Sequence, residues 1–392
     1  MTDAAPNAAP NATQAGTAPR APRIGEPAPW FVARTTINPR FNFHTIAGRY
    51  IALCFVGDVN HPEAAEALAQ VARRRAVFDD DKASFFGVSI DPADEAQGRV
   101  ADSMPGLRWF WDHDLAVSRL YGASLPGSHP GAAPDGPPAY RPLWLVLDPQ
   151  LRCVFAGKIT DTGAVLDFIA AAPDLADHAG VPLHAPVLIL PRVFEPELCR
   201  MLIDIYEKEG GQDSGFMRDI DGKTRLLLDP NHKRRKDHDL VDPGLCRMTA
   251  DRIRHRLLPE VAKAFQFQVT RMERYLVGCY EAADGGHFRA HRDNTTAGTA
   301  HRRFAVTINL NAEDYEGGDL SFPEFGPRRY RAPTGGAVVF SCSLLHMVDP
   351  VTAGRRFAFL PFLYDETAAK EREARNAELG EEVAAYAAGP KE

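Results

Sequence analysis

Two domains are predicted for this 392-residue chain: an α/β layered domain, then a double-sheet jelly-roll barrel with flanking helices. Three features carry that expectation. Apolar strand-like runs alternate with helical stretches between Tyr50 and Ala171, the order of an α/β layer structure. From Gln268 onward the apolar runs shorten and glycine pairs recur at Gly285–Gly286, Gly317–Gly318 and Gly335–Gly336, which suits short antiparallel strands closed by tight turns. Between the two regions, 173–184 carries Pro173, Gly180 and Pro182 and reads as a linker. The expected boundaries are a disordered leader over 1–23, a first domain over 24–172, the linker, a second domain over 185–366 and an exposed helical tail over 367–392.

Composition sets limits on function. Hydrophobic residues make up 45% and charged residues 25%, values of ordinary globular protein. The net charge of −7 gives no bias toward nucleic acid or an anionic membrane. The six cysteines form no CxxC pair, so neither a zinc site nor a disulfide framework is expected, and reduced thiols point to the cytoplasm. The leader lacks the apolar centre of a signal peptide, and no stretch approaches a membrane span.

In the first domain, Tyr50–Val56 and Ser84–Ile90 are short continuous apolar runs, expected as buried strands. Pro62–Val77 is rich in Ala, Leu and Arg and is expected as a helix. Leu143–Asp148 is a third strand, Leu151–Ala156 pairs back after a turn at Pro149, and Gly163–Ala171 is a helix. The Gly-, Pro- and Ala-rich stretch 122–139 is expected as a loop. The entry motif 24–29, the Val88–Asp91 segment and 141–148 resemble peroxiredoxins of the alkyl-hydroperoxide-reductase type, which implies a thioredoxin-like fold. That family carries its peroxidatic cysteine two residues after a proline at the start of the first helix, where a helix N-terminus favours thiolate. Here Pro62 is followed by Ala64 in that place. Arg141 matches the arginine that serves the thiolate. The domain is therefore expected to be non-catalytic, serving docking, homodimerisation or substrate presentation. A peroxidase using a displaced cysteine, Cys54, is the alternative.

In the second domain, 185–190 is an apolar strand. Pro196 suits the first turn of a helix, and Leu198, Leu202, Ile205 and Tyr206 follow at helical spacing. Pro243–Phe265 is expected as a single amphipathic helix. The basic run 232–236 is open to three readings: a solvated loop, a cationic lid or a nucleic-acid patch.

The chemistry is concentrated between Tyr280 and Arg356. His291–Arg292–Asp293 offers an imidazole and a carboxylate two residues apart, on one face if the segment is a strand. His346 follows from a later strand. Two imidazoles and one carboxylate with open positions opposite form the facial set of non-haem Fe(II) oxygenases. His287, His301 and Asp319 are read as ordinary polar residues, and Arg292 and Arg303 as strand-face charges.

The ordered combination HxD, EGGDL and a final His with Arg355 and Arg356 nine and ten positions on resembles the 2-oxoglutarate- and Fe(II)-dependent dioxygenases of the prolyl-4-hydroxylase class, PKHD-type hydroxylases among them. The resemblance spans about 186–365. It implies Fe(II) held by His291, Asp293 and His346. It also implies 2-oxoglutarate as co-substrate with its distal carboxylate on Arg356 (Arg355 being the adjacent alternative), help from Tyr280 and Thr307, dioxygen, and ascorbate as a reductant. The implied reaction hydroxylates a C–H bond of a small-molecule or peptidyl substrate and releases succinate and CO2. Asp293, where a Gly or Ala would leave room for halide, fits hydroxylation. A non-catalytic protein that binds iron and 2-oxoglutarate is a further alternative.

Overall fold

The computed structural model describes residues 20–125 and 139–388. It divides into two compact units, one running to His184 and taking in Pro323–Pro327, the other comprising Ala185–Phe322 and the chain from Arg328 onward. Each is built separately from its sequence.

The first unit is a seven-stranded sheet in the order Phe41–Asn42, Val32–Thr35, Leu107–Trp111, Ala83–Ser89, Tyr50–Gly57, Leu143–Leu147, Cys153–Lys158. Its centre is parallel and its flanks antiparallel. Tyr50, Ala52, Cys54 and Val56 pack with Ala64, Ala67 and Val71 of the helix Pro62–Arg73 and with Val165, Leu166 and Ile169 of Thr162–Ala171. On the opposite face Phe55 meets Tyr121, and Phe31 stacks on Phe43. Burial on both faces explains why these strands read as unbroken apolar runs rather than alternating ones. The leader falls mostly outside the described residues, but 20–23 are placed: Arg20 pairs with Glu26 at 2.7 Å, and the Arg23 amide donates to the same carboxylate. Most of the 122–139 loop is also outside the described residues, while its ends, Ser124–Leu125 and Ala139–Tyr140, pair with each other.

Cys54 lies mid-strand and fully buried, and burial pushes its thiol well above the ordinary range. Ala64, in the place of a peroxidatic thiol, is also buried, and Arg141 is exposed. All six cysteines are free; five are buried and Cys246 is half-buried. We expect a disulfide-exchange reagent to titrate at most Cys246 rapidly in the native protein and all six thiols after unfolding. Fast reaction at Cys54 would restore a thiol chemistry to this unit.

The second unit holds two principal sheets. The larger runs Leu188–Leu190, Ala337–Ser341, Phe304–Asn309, Val351–Phe359, Leu276–Glu281, Lys236–Asp239, Gln212–Asp213. The smaller runs Lys233–Arg234, His287–His291, His346–Val348, Leu320–Ser321, Arg329–Tyr330. Phe340 of the larger sheet meets His346 of the smaller at 4.6 Å between ring centroids, so the sheets pack together at that point. Helices Pro196–Glu209, Pro243–Arg256 and Leu258–Phe265 join the core of the larger sheet through Leu198, Leu202, Ile253 and Val261. No helix among the described residues is long and apolar enough to cross a membrane.

Four expectations are corrected. The 243–265 helix breaks at Leu257, because Pro259 cannot donate to His255 and its ring would meet that carbonyl. The 313–322 segment, expected to turn back as a hairpin at Gly317–Gly318, does not fold back on itself: Tyr315–Gly317 joins Val351–Phe359, whereas Leu320–Ser321 pairs within the smaller sheet. The basic run is not a solvated loop, since Lys233–Arg234 and Lys236–Asp239 belong to different sheets and Arg235 is buried where the chain crosses between them. Among the described residues the tail is α-helical over Glu366–Ala374, with a short 3-10 turn at Asn376–Glu378, and is not freely exposed: Ala368 and Ala369 are buried against Tyr364. Glu366 and Glu371 of that helix pair with Arg271 and Arg303.

Candidate active site

His291 ends the strand His287–His291, and His346 opens His346–Val348. The two are direct cross-strand partners in an antiparallel pair, which puts both rings on one face; their centroids are 4.3 Å apart. The register slips by one residue between Phe288 and His291. Such a bulge re-aims the side chains beyond it. Strict alternation would send Phe288 and His291 to opposite faces, yet Phe288 stacks on the His291 ring at 3.5 Å. Asp293 lies in the turn just past the strand, not on it as expected, and its amide donates to the Cys342 carbonyl at 3.0 Å. The three side chains still converge. Asp293 Oδ1 is 3.5 Å from His291 Nε2, and Oδ2 is 3.3 Å from His346 Nε2.

The tautomers follow from the backbone. His291 Nδ1 bonds the Arg289 carbonyl at 2.7 Å, and His346 Nδ1 bonds the Leu344 carbonyl at 3.0 Å. A carbonyl only accepts, so both Nδ1 atoms carry hydrogen and both Nε2 lone pairs face Asp293. Burial, then His291, pushes His346 down to about 4. Neutral imidazole and ionised carboxylate are the forms that bind metal. The ligand atoms of these three residues all lie within 4.8 Å of one another.

Arg356 is the cross-strand partner of Tyr280. Its side chain is 2% exposed, its Nε and Nη1 have no hydrogen-bond partner, and its guanidinium lies 5.1 Å from the Tyr280 ring centroid. A buried cation with donors unmet is costly unless an anion completes it. Arg355 faces the other way and pairs with Glu207 at 2.7 Å, as strand alternation requires.

Residues 275–364 match the model of the 2OG-Fe(II) oxygenase superfamily, and every residue named in the last three paragraphs as facing the pocket lies within that span. This segment is a 2OG-Fe(II) oxygenase domain. Among curated relatives, the chain is 30% identical over 132 residues to a PKHD-type hydroxylase of Thioalkalivibrio sulfidiphilus, covering 32% of this chain and 58% of that one. The chain thus spans little more than half the length of that relative. It is also similar to the viral collagen prolyl hydroxylase of Paramecium bursaria Chlorella virus-1 in complex with 2-oxoglutarate (16% identity, TM-score 0.36, covering 46% of this chain and 97% of that one). A further similarity is to the bacterioferritin comigratory protein of Xanthomonas campestris, described with alkyl peroxide reduction activity (16% identity, TM-score 0.30, covering 36% and 90%).

The oxygenase family implies Fe(II), 2-oxoglutarate and dioxygen, and the residues present fit the first two. His291, Asp293 and His346 could hold a hard divalent ion on one side only, and the unmet Arg356 donors could take a carboxylate. Thr307 fits less well. It shares the interior face with Arg356 on the neighbouring strand, but the pairing of Ile308 with Phe359 and Asn309 with Ala358 puts it four residues along, roughly 13 Å from the level of Arg356. His287 bonds the Gly285 carbonyl, His301 pairs with Glu273, and Asp319 with Arg331; none joins the triad. Arg292 is buried and donates to the Ser343 carbonyl, so it is not a face charge of the oxygenase domain. Sequence reasoning missed Phe288, which packs on the His291 ring, and Arg235, which donates to the Tyr280 hydroxyl at 3.3 Å. Only the burial of the 232–236 run could have revealed the latter.

Proposed function

We propose that the protein is an Fe(II)- and 2-oxoglutarate-dependent dioxygenase that hydroxylates a substrate C–H bond and releases succinate and CO2, within a double-stranded β-helix. The observation that carries this reading is the pairing of two features in one domain: three metal-competent side chains converging on one point, and a buried guanidinium lacking an anion. His291, Asp293 and His346 hold the metal through Nε2, a carboxylate oxygen and Nε2. Arg356 takes the distal carboxylate of the co-substrate, and the Tyr280 hydroxyl orients it. Fe(II), when bound, supplies open positions for the keto-acid end of 2-oxoglutarate and for dioxygen. Phe288, stacked on His291, and Phe340 and Phe322, packed around His346, keep water from the ligands and fix the ring planes. The first unit, with Cys54 buried and Ala64 in the nucleophile's place, acts as a structural or docking partner.

The test is succinate release with Fe(II) and 2-oxoglutarate, screened against prolyl peptides, free amino acids and metabolite pools. We expect one pool to stimulate succinate formation in the wild type and none to do so in His291→Ala. Binding of both ligands with no succinate from any pool would favour a sensor over an enzyme.

A further inference from the structure

The basic run 232–236 is unused by the proposed chemistry, yet two of its side chains are among the few buried cations of the domain. Arg235 is the more informative. Its Nε and Nη2 form a two-pronged ion pair with Asp237, at 2.6 and 2.7 Å. Asp237 also accepts from Arg274 at 3.0 Å and from the Ser214 hydroxyl. Lys233 in turn donates to Ser214 at 2.6 Å and to the Gly215 carbonyl at 2.7 Å. The guanidinium is thus locked in plane, with Nη1 left to reach the Tyr280 hydroxyl at 3.3 Å. Its carbon lies 5.6 Å from the Tyr280 ring centroid, against 5.1 Å for Arg356.

The direction of that hydrogen bond is fixed by chemistry. A guanidinium has donors and no acceptor, so the phenolic oxygen must accept. The tyrosine hydrogen is then directed away from Arg235 and is free to be donated elsewhere. Without Arg235, the hydroxyl could turn and present a lone pair to the pocket, which would repel a carboxylate. The chain's crossing between sheets at Arg235 makes this reach possible: Lys233–Arg234 pairs with the ligand strand and Lys236–Asp239 with the Tyr280 strand.

We propose that Arg235, held by Asp237, is a positioning residue that turns the Tyr280 hydroxyl into a fixed donor for the 2-oxoglutarate carboxylate. The proposal rests on the dioxygenase reading above. It acts on co-substrate affinity and leaves the metal ligands untouched.

The test is a double-mutant cycle on full-length protein, with 2-oxoglutarate binding followed by calorimetry and Mn(II) in place of Fe(II). Tyr280→Phe removes only the hydroxyl and is expected to weaken 2-oxoglutarate binding about tenfold, the effect of one hydrogen bond to a charged group. Arg235→Lys keeps a cation for Asp237, so the fold persists, and is expected to weaken binding by roughly the same factor. In the Tyr280→Phe background, Arg235→Lys should cost less than about twofold. Mn(II) affinity should be unchanged throughout, and in turnover the Arg235→Lys effect should fall on the KM for 2-oxoglutarate rather than on kcat. Additive losses in the double variant, or a parallel fall in Mn(II) affinity, would overturn the positioning role. If Arg356→Met also left 2-oxoglutarate binding intact, the reading of the pocket itself would fail, and this proposal with it.

Discussion

Replacing Asp293 with Asn is expected to abolish Fe(II) binding and succinate release while leaving the apo fold intact. The carboxylate is the one negative group of the proposed ligand set, and it sits between two Nε2 atoms at 3.5 and 3.3 Å. An amide of the same shape keeps the packing and the backbone bond to Cys342 but presents no charge. Loss of outer-shell partners alone costs about 10–100-fold in metal affinity, so loss of an anionic first ligand should exceed that. The apo protein should hardly notice. Burial keeps His346 neutral at physiological pH, so Asp293 forms no full ion pair with it whose loss would unfold the domain. Calorimetric titration with Mn(II) and a thermal melt separate the two effects. Metal affinity retained in Asp293→Asn would remove the residue from the ligand set.

Arg356→Met should move stability and binding in opposite directions. In the apo protein the guanidinium is buried with Nε and Nη1 unmet, and an apolar side chain of similar length relieves about 1–3 kcal/mol of uncompensated desolvation. For a unit of this size that raises Tm by roughly 2–4 °C for each kcal/mol. The same change removes the partner for a carboxylate. Truncating one member of a buried charge pair costs about 2–5 kcal/mol, or roughly 30- to several-thousand-fold in 2-oxoglutarate affinity. A stabilised protein that no longer binds co-substrate would mark Arg356 as a residue retained for function against stability. A destabilised variant with normal binding would show that Arg356 is a core element whose partner is elsewhere. Arg355, already paired with Glu207 at the surface, serves as the control, and Arg355→Met should change 2-oxoglutarate affinity little.

The clustering of His291, Asp293 and His346 was legible because metal chemistry restricts side-chain type, and a two-residue spacing followed by a distant histidine survives any detail of strand geometry. The route by which they meet was not legible. Asp293 is past the end of its strand, and a bulge, not simple alternation, aims His291 beside Phe288. A one-residue slip leaves no mark in composition or period. Alternation accounts for the split between Arg355, paired with Glu207, and Arg356 in the interior, because adjacent strand residues must face apart. Thr307 illustrates the limit of that rule, since parity gives the face but not the distance along it. The basic run misled for a different reason. Consecutive cations normally mean solvent, and only the crossing between two sheets, with Asp237 and Ser214 waiting in the interior, makes burial of Lys233 and Arg235 affordable. The tail misled likewise, since Ala368 and Ala369 carry too little apolar surface to announce that they are covered.

The central claim, that one site holds both metal and 2-oxoglutarate, is tested most directly by an anaerobic titration of the Fe(II)-loaded protein with 2-oxoglutarate, watching for a visible charge-transfer absorption. The wild type should develop a saturable band that requires both components. His291→Ala should develop none, and Arg356→Met should require at least about 30-fold more 2-oxoglutarate to reach the same absorbance. A band of undiminished strength and midpoint in both variants, or none in the wild type, would contradict the account.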